Sequence, residues 1–182
     1  MTNPPWEPPV AGTEVEHLLA ALDRQRATFR WKADGLDTAG LAVRVGASTL
    51  TLAGLLNHLA LVEDHQSTVR LDGSPLSPPW DAVDVDTDPE WEMRTALEMA
   101  PADLYARYDA AVETSRRRFG AAIADGGLDR PTRTWPDGRT PSVRRILFDL
   151  LEEYGRHTGQ ADLLREAVDG RVGEDPPADW RP

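Results

Sequence analysis

Thr140-Pro141-Ser142-Val143-Arg144-Arg145-Ile146-Leu147-Phe148-Asp149-Leu150-Leu151-Glu152-Glu153-Tyr154-Gly155-Arg156-His157 opens a segment that meets no further proline until Pro176. Ile146, Leu147, Leu150, Leu151, Tyr154, Leu163, Leu164 and Val168 recur along it at helical spacing, and Gly170 supplies a stop. A proline near the start suits a first helical turn. A helix of that length with one apolar face needs partners to cover it. The rest of the chain offers three.

Working outward, the first partner opens at Thr13-Glu14-Val15-Glu16, a capping box. Val15, Leu18, Leu19, Leu22, Phe29 and the stem of Lys32 continue it to Gly35. A second helix is expected from Ser48 or Thr49 to about Leu71, with Leu52, Leu55, Leu56, Leu59 and Val62 as its stripe. A third follows Pro101 through Leu104, Tyr105, Tyr108, Val112, Phe119 and Ile123, and stops at Gly126-Gly127. Between the second and third, Gly73-Ser74-Pro75, Pro78-Pro79 and Asp88-Pro89 break the pattern, with room for a helical turn or two at 90–98. A connection that long is either functional or crosses from one end of a bundle to the other. The Pro-Asp-Gly turn within Arg133–Thr140 suits a small hairpin and a plain loop equally. The expected architecture is all-α: a four-helix bundle over residues 13–170 with one long crossover, between irregular proline-bearing tails at 1–12 and 171–182.

Composition narrows the function. The chain has 182 residues, 40 % hydrophobic and 28 % charged, a balance that folds without staples. It contains no cysteine, which excludes disulfides, Cys-ligated metal and a cysteine nucleophile. The net charge of −11 and the lack of a Lys/Arg-rich block argue against nucleic-acid binding. No apolar run approaches the roughly 20 residues that span a bilayer, so no membrane partner is expected. The opening Met1-Thr2-Asn3-Pro4-Pro5-Trp6 has no signal-peptide pattern, and a cytoplasmic location is the expectation.

Four histidines carry the chemical signal: His17 on the first helix, His58 and His65 on the second, His157 on the fourth. Glu153 and His157 are four residues apart and share a helix face. His58, flanked by leucines in Leu55-Leu56-Asn57-His58-Leu59, is placed to face inward from a second helix. Each element alone is ordinary, the first as a surface pair and the second as a hydrogen-bonded core histidine. Meeting across a bundle, two His and one Glu make the ligand set of a catalytic zinc or a related divalent ion such as Ni2+ or Fe2+. His65, two turns beyond His58, is a candidate pocket wall or proton acceptor. His17 reads as a surface residue. Trp31, Trp80, Trp91 and Trp135 are candidates for a pocket floor, and Trp80 and Trp91, in the long connection, are better ones than Trp31.

Two blocks resemble a known family. Thr51-Leu52-Ala53-Gly54-Leu55-Leu56-Asn57-His58-Leu59-Ala60-Leu61-Val62-Glu63-Asp64-His65 looks like the second-helix signature of DinB-like four-helix metalloproteins. Leu151-Glu152-Glu153-Tyr154-Gly155-Arg156-His157-Thr158-Gly159-Gln160-Ala161-Asp162-Leu163-Leu164-Arg165-Glu166 looks like their fourth-helix signature. Leu22-Asp23-Arg24-Gln25-Arg26 and Gly35-Leu36 also fit the actinobacterial branch. The resemblance runs from about Val15 to Gly170. It implies one divalent metal held by a second-helix His and two fourth-helix residues. In the branch resembling mycothiol-dependent maleylpyruvate isomerase these are Glu-x-x-x-His, matching Glu153 and His157. Asp149 and Gln160 stand where close relatives often carry histidine. Asp149 is then a candidate to bind metal, accept a proton or orient a ligand, and Gln160 to bind substrate or cap the site.

The implied activity is metal-dependent transfer or isomerisation using a low-molecular-weight thiol such as mycothiol and a small electrophile. It suits a chain with no thiol of its own. The alternatives are a metal-dependent hydrolase of a small amide or ester and a non-catalytic stress-associated metal-binding bundle. A homodimer is the expected assembly from the resemblance alone.

Overall fold

The computed structural model describes residues 4, 6–83, 87, 88 and 90–182. Four long helices build the molecule: α1 (Glu14–Ala33), α3 (Leu52–His65), α5 (Pro101–Gly126) and α6 (Val143–Asp169). Two short ones, α2 (Thr38–Leu41) and α4 (Trp91–Ala96), sit in the connections. No strand forms among the described residues, so the all-α expectation holds.

Local chemistry sets most helix ends. At α1, Thr13 Oγ1 accepts from Glu16 N while Glu16 Oε2 accepts from Thr13 N, completing the capping box. α5 begins with Pro101 in its first turn and stops at Gly127, whose φ of 71° suits glycine. α6 is capped by Ser142, leaving Pro141 just outside rather than in the first turn, and ends at left-handed Gly170. α3 starts later than Ser48 or Thr49 suggests. Ser48 Oγ accepts from Leu50 N in a local turn, and Thr51 Oγ1 caps the helix by accepting from Gly54 N. Beyond His65 the chain continues as a π-helical turn at Gln66–Arg70 before reaching Leu71.

α1 packs on α6, and α3 on α5 with a further seam against α6. Leu22, Phe29, Leu55, Leu56, Leu59, Val143, Leu147, Leu150 and Tyr154 are sealed in the core between them. Each fully buried leucine of this kind stabilises the fold by about 1.5–3 kcal/mol relative to exposure. A polar cluster is sealed in as well. Arg26 Nε and Nη2 donate to the two oxygens of Glu63 at 2.7 and 2.8 Å. Tyr154 Oη is 2.8 Å from Glu63 Oε1 and 2.9 Å from Tyr108 Oη. Burial opposes the Arg26 charge, but the Glu63 carboxylate outweighs it and holds the guanidinium pKa above its ordinary value. The cluster ties α1, α3, α5 and α6 together.

The crossover between α3 and α5 positions the site. Within it, helix α4 lies against α3, and Trp80, which opens a 3-10 turn at Trp80–Ala82, is buried. Gly54 lies directly beneath α4, and the Met93 thioether packs into the space a Cβ there would take, 2.6 Å from that position. Asn57, itself fully buried, donates from Nδ2 to the Glu92 carbonyl at 2.8 Å and pins α4 in register. The 133–140 segment closes on itself through Trp135 N to Arg139 O and Gly138 N to Trp135 O, a tight turn without strands.

The tails are irregular but docked. Trp6 is buried beside Trp180, Trp180 Nε1 donates to Asp34, and Arg24 pairs with Asp175. His17 is exposed, and its Nε2 reaches the Pro9 carbonyl. No helix among the described residues is long and apolar enough to cross a membrane.

Candidate metal centre

His58 projects from the middle of α3, and Glu153 and His157 from adjacent turns of α6. The seam between these helices brings together what the sequence separates by almost 100 positions. One potential ligand atom from each of the three residues lies within 4.8 Å of the others. Glu153 Oε2 is 3.2 Å from His157 Nε2 and 4.0 Å from His58 Nε2, and the two imidazole rings meet edge to face at 4.7 Å.

The orientation of the rings is fixed from behind. His58 Nδ1 lies 2.9 Å from Glu92 Oε1, and an ionised carboxylate only accepts, so the proton of neutral His58 resides on Nδ1. His157 Nδ1 likewise donates to Gln160 Oε1 at 2.7 Å. Both Nε2 lone pairs are therefore left facing Glu153. Burial first, and then the neighbouring His58, lower the His157 pKa from 6.5 against the opposing pull of Gln160 and Glu153, which favours the neutral ring. With both rings neutral, two nitrogen lone pairs and a carboxylate oxygen converge and repel one another, and either a proton on His157 Nε2, 3.2 Å from Glu153 Oε2, or a shared cation relieves the repulsion.

The donor set fits a divalent ion. Ligand atoms about 2.0–2.2 Å from a tetrahedral zinc stand about 3.3–3.6 Å apart, which the observed spacings reach with small rotamer adjustments. Carboxylate and amide partners behind ligating imidazoles are the usual means of fixing the tautomer and raising ligand basicity.

The remaining candidates fall in different places. His65 lines a cavity of about 580 Å3 that opens beside His58 and Glu153, and burial first, then the Arg70 charge, lower its pKa from 6.5. Gln160 lies behind His157 as its hydrogen-bond acceptor. Asp149 shares the α6 stripe but is engaged by Arg145 Nε at 2.7 Å, and its carboxylate is not one of the three converging groups. Trp80 and Trp91 wall the cavity, while Trp135 is stacked among Arg70, Arg139 and Arg145 away from it.

Glu92 is the participant that sequence reasoning missed. It lies on α4, in the aperiodic crossover, and only the unusual length of that connection hinted at a role.

A search of curated proteins finds no match to this chain. A family model described as Mycothiol-S-transferase matches residues 17–170, from the first turn of α1 to the glycine that ends α6, and so contains the whole bundle and all three converging side chains. On that span the chain belongs to the mycothiol S-transferase family.

Proposed function

We propose that this protein joins the sulfur of a low-molecular-weight thiol, mycothiol being the leading candidate, to a small electrophile, with a divalent metal held by His58, Glu153 and His157. The observation that carries the reading is the convergence of both Nε2 atoms on Glu153 Oε2, with each opposite ring nitrogen already engaged. Zinc suits two imidazoles and one carboxylate, and Ni2+ or Fe2+ would take the same set. Bound there, the ion supplies a lowered thiol pKa, so that sulfur is presented as thiolate near neutral pH.

The chain's own residues do the rest. Glu92 and Gln160 hold the two imidazoles in their ligating tautomer. His65, whose pKa burial lowers and whose ring lines the cavity wall, is our candidate acceptor, through intervening water, of the proton released as the thiol ionises. Asp149, one turn before Glu153, is held by Arg145 of the same helix. The absence of cysteine means the nucleophile must arrive with the co-substrate. A cytoplasmic setting, where such thiols stay reduced, fits this chemistry.

The test is conjugation of mycothiol to 1-chloro-2,4-dinitrobenzene. In that reaction an S–C bond forms, the C–Cl bond breaks, chloride leaves and the thiol proton is released. Zinc-loaded protein should consume thiol and form thioether, and both should cease with a chelator or with His157→Ala. Conjugation that ignores metal and His157 contradicts the proposal, as does turnover of simple esters with no thiol present and none of the conjugation.

A further inference from the structure

His58 stands between two carboxylates: its Nδ1 is 2.9 Å from Glu92 Oε1, and its Nε2 is 4.0 Å from Glu153 Oε2. A neutral imidazole carries one proton, so the better-placed carboxylate decides which nitrogen keeps its lone pair. Without Glu92 the proton would move to Nε2, and the ring would donate to Glu153 instead of facing a cation beside it. The residue before His58 holds Glu92 in place. Asn57 is fully buried and its amide is engaged on both sides: Nδ2 donates to the Glu92 carbonyl, and Oδ1 accepts from Arg107 Nη1 on α5, each at 2.8 Å. Turned over, the amide would set its NH2 against the guanidinium and its oxygen against the carbonyl, so the two neighbours together fix one orientation. Consecutive residues of α3 therefore grip one residue of α4, Asn57 by its backbone and His58 by its carboxylate.

Arg107 is half-buried, and among the described residues its one hydrogen bond goes to this neutral amide rather than to a carboxylate. Burial lowers its pKa against the opposing pull of Asp103, a cost that a side chain free in solvent would not bear. We infer that Arg107 is a positioning residue for the metal centre: through Asn57 and Glu92 it holds His58 in the tautomer whose Nε2 is free to ligate. The inference rests on the metal-dependent reading above, although its first readout needs no metal. It gives α5, which contributes none of the three converging side chains, a part in the site. It also accounts for the residue types. Asn57→Asp would keep the acceptor for Arg107 and lose the donor for Glu92. Arg107→Met would keep the alkyl packing and lose the donor for Asn57.

Two measurements on the full-length chain test this. Nitrogen NMR of isotope-labelled histidine, on metal-free protein at mildly alkaline pH, reads which His58 nitrogen bears the proton. Competition with a chromophoric chelator reads zinc affinity. Arg107→Met should move the His58 proton from Nδ1 toward Nε2 and weaken zinc binding by about 3–10-fold, with helical content retained. Asn57→Asp should weaken it by at least about 10-fold. Arg107→Lys, which can still donate one N–H to Asn57 Oδ1, should recover most of both effects. Beside Glu92→Leu, Arg107→Met should change zinc affinity by no more than about 2-fold, because the route to His58 is already cut. The inference is overturned if Arg107→Met leaves the tautomer and the affinity as they are. It is equally overturned if the Arg107→Met loss persists in full beside Glu92→Leu, the mark of a role in folding alone. A tautomer that responds to Arg107 in a chain that binds no zinc would sink the metal reading and leave the relay standing. Zinc binding with a tautomer indifferent to Arg107 would do the reverse.

Discussion

Glu63 and Glu153 are both helical carboxylates near the centre of the bundle, and they have opposite fates. Glu63 is fully buried and every near neighbour is a donor: Arg26 Nε at 2.7 Å, Arg26 Nη2 at 2.8 Å and Tyr154 Oη at 2.8 Å. Glu153 immediately precedes that tyrosine in sequence, is 31 % exposed at its side chain, and faces two imidazole nitrogens that carry lone pairs. The permanently charged group nearest to it is Arg156, no closer than 4.0 Å. Donors matched to acceptors make a structural joint. Acceptors gathered without donors make a place for a cation.

The largest way to break this contrast is at the closed cluster. Arg26→Leu leaves Glu63 charged and buried without its partner and should cost about 3–5 kcal/mol in chemical denaturation. Glu153→Gln, by contrast, should change metal-free stability by no more than about 0.5 kcal/mol. Equal losses at the two sites would erase the distinction drawn here.

The next effect concerns the groups behind the ligands. Glu92→Leu and Gln160→Leu should each weaken zinc binding by about 10–100-fold in competition with a chromophoric chelator, with helical content retained. If both variants bind zinc as tightly as the parent, ring orientation is set by something other than these two hydrogen bonds.

The smallest effect is on pH dependence. His157 and His65 both have pKa values lowered from 6.5, chiefly by burial. Just below pH 6.5 the unfolded chain therefore holds more protons on these rings than the folded one. Metal-free stability should fall as pH drops from 6.5 toward the folded-state values, with no further loss from these rings below them. Substituting His65 with Asn should flatten part of that slope, and an unchanged slope would show that His65 titrates normally.

Much of the scaffold was legible because helix ends are local chemistry. Thr13 with Glu16, Gly127 and Gly170 act within one turn of themselves, so spacing in the chain was enough. The start of α3 was harder because Ser48, Thr49 and Thr51 all offer hydroxyls, and Ser48 is taken by its own turn. The π-helical turn after His65 leaves no mark in apolar periodicity.

The candidate site divides along the same line. Glu153 and His157 were readable as one helical face, and the inward side of His58 from its leucine neighbours. Asp149 lies on the same stripe by spacing, but its local pair with Arg145 could not be weighed against the site from sequence. Glu92 was invisible, since its position depends on α4 settling over Gly54 and on Asn57 fixing its backbone, both tertiary events in a segment without periodicity. The docking of Trp6 and Trp180 against each other is likewise a contact between the two ends of the chain that no local pattern encodes.

The most direct measurement is calorimetric titration of metal-free protein with zinc. One ion per chain and loss of saturable binding in both His157→Ala and Glu153→Gln are the predicted results. Absence of saturable binding in the parent protein, or affinity in both variants equal to the parent's, would contradict a metal centre at His58, Glu153 and His157.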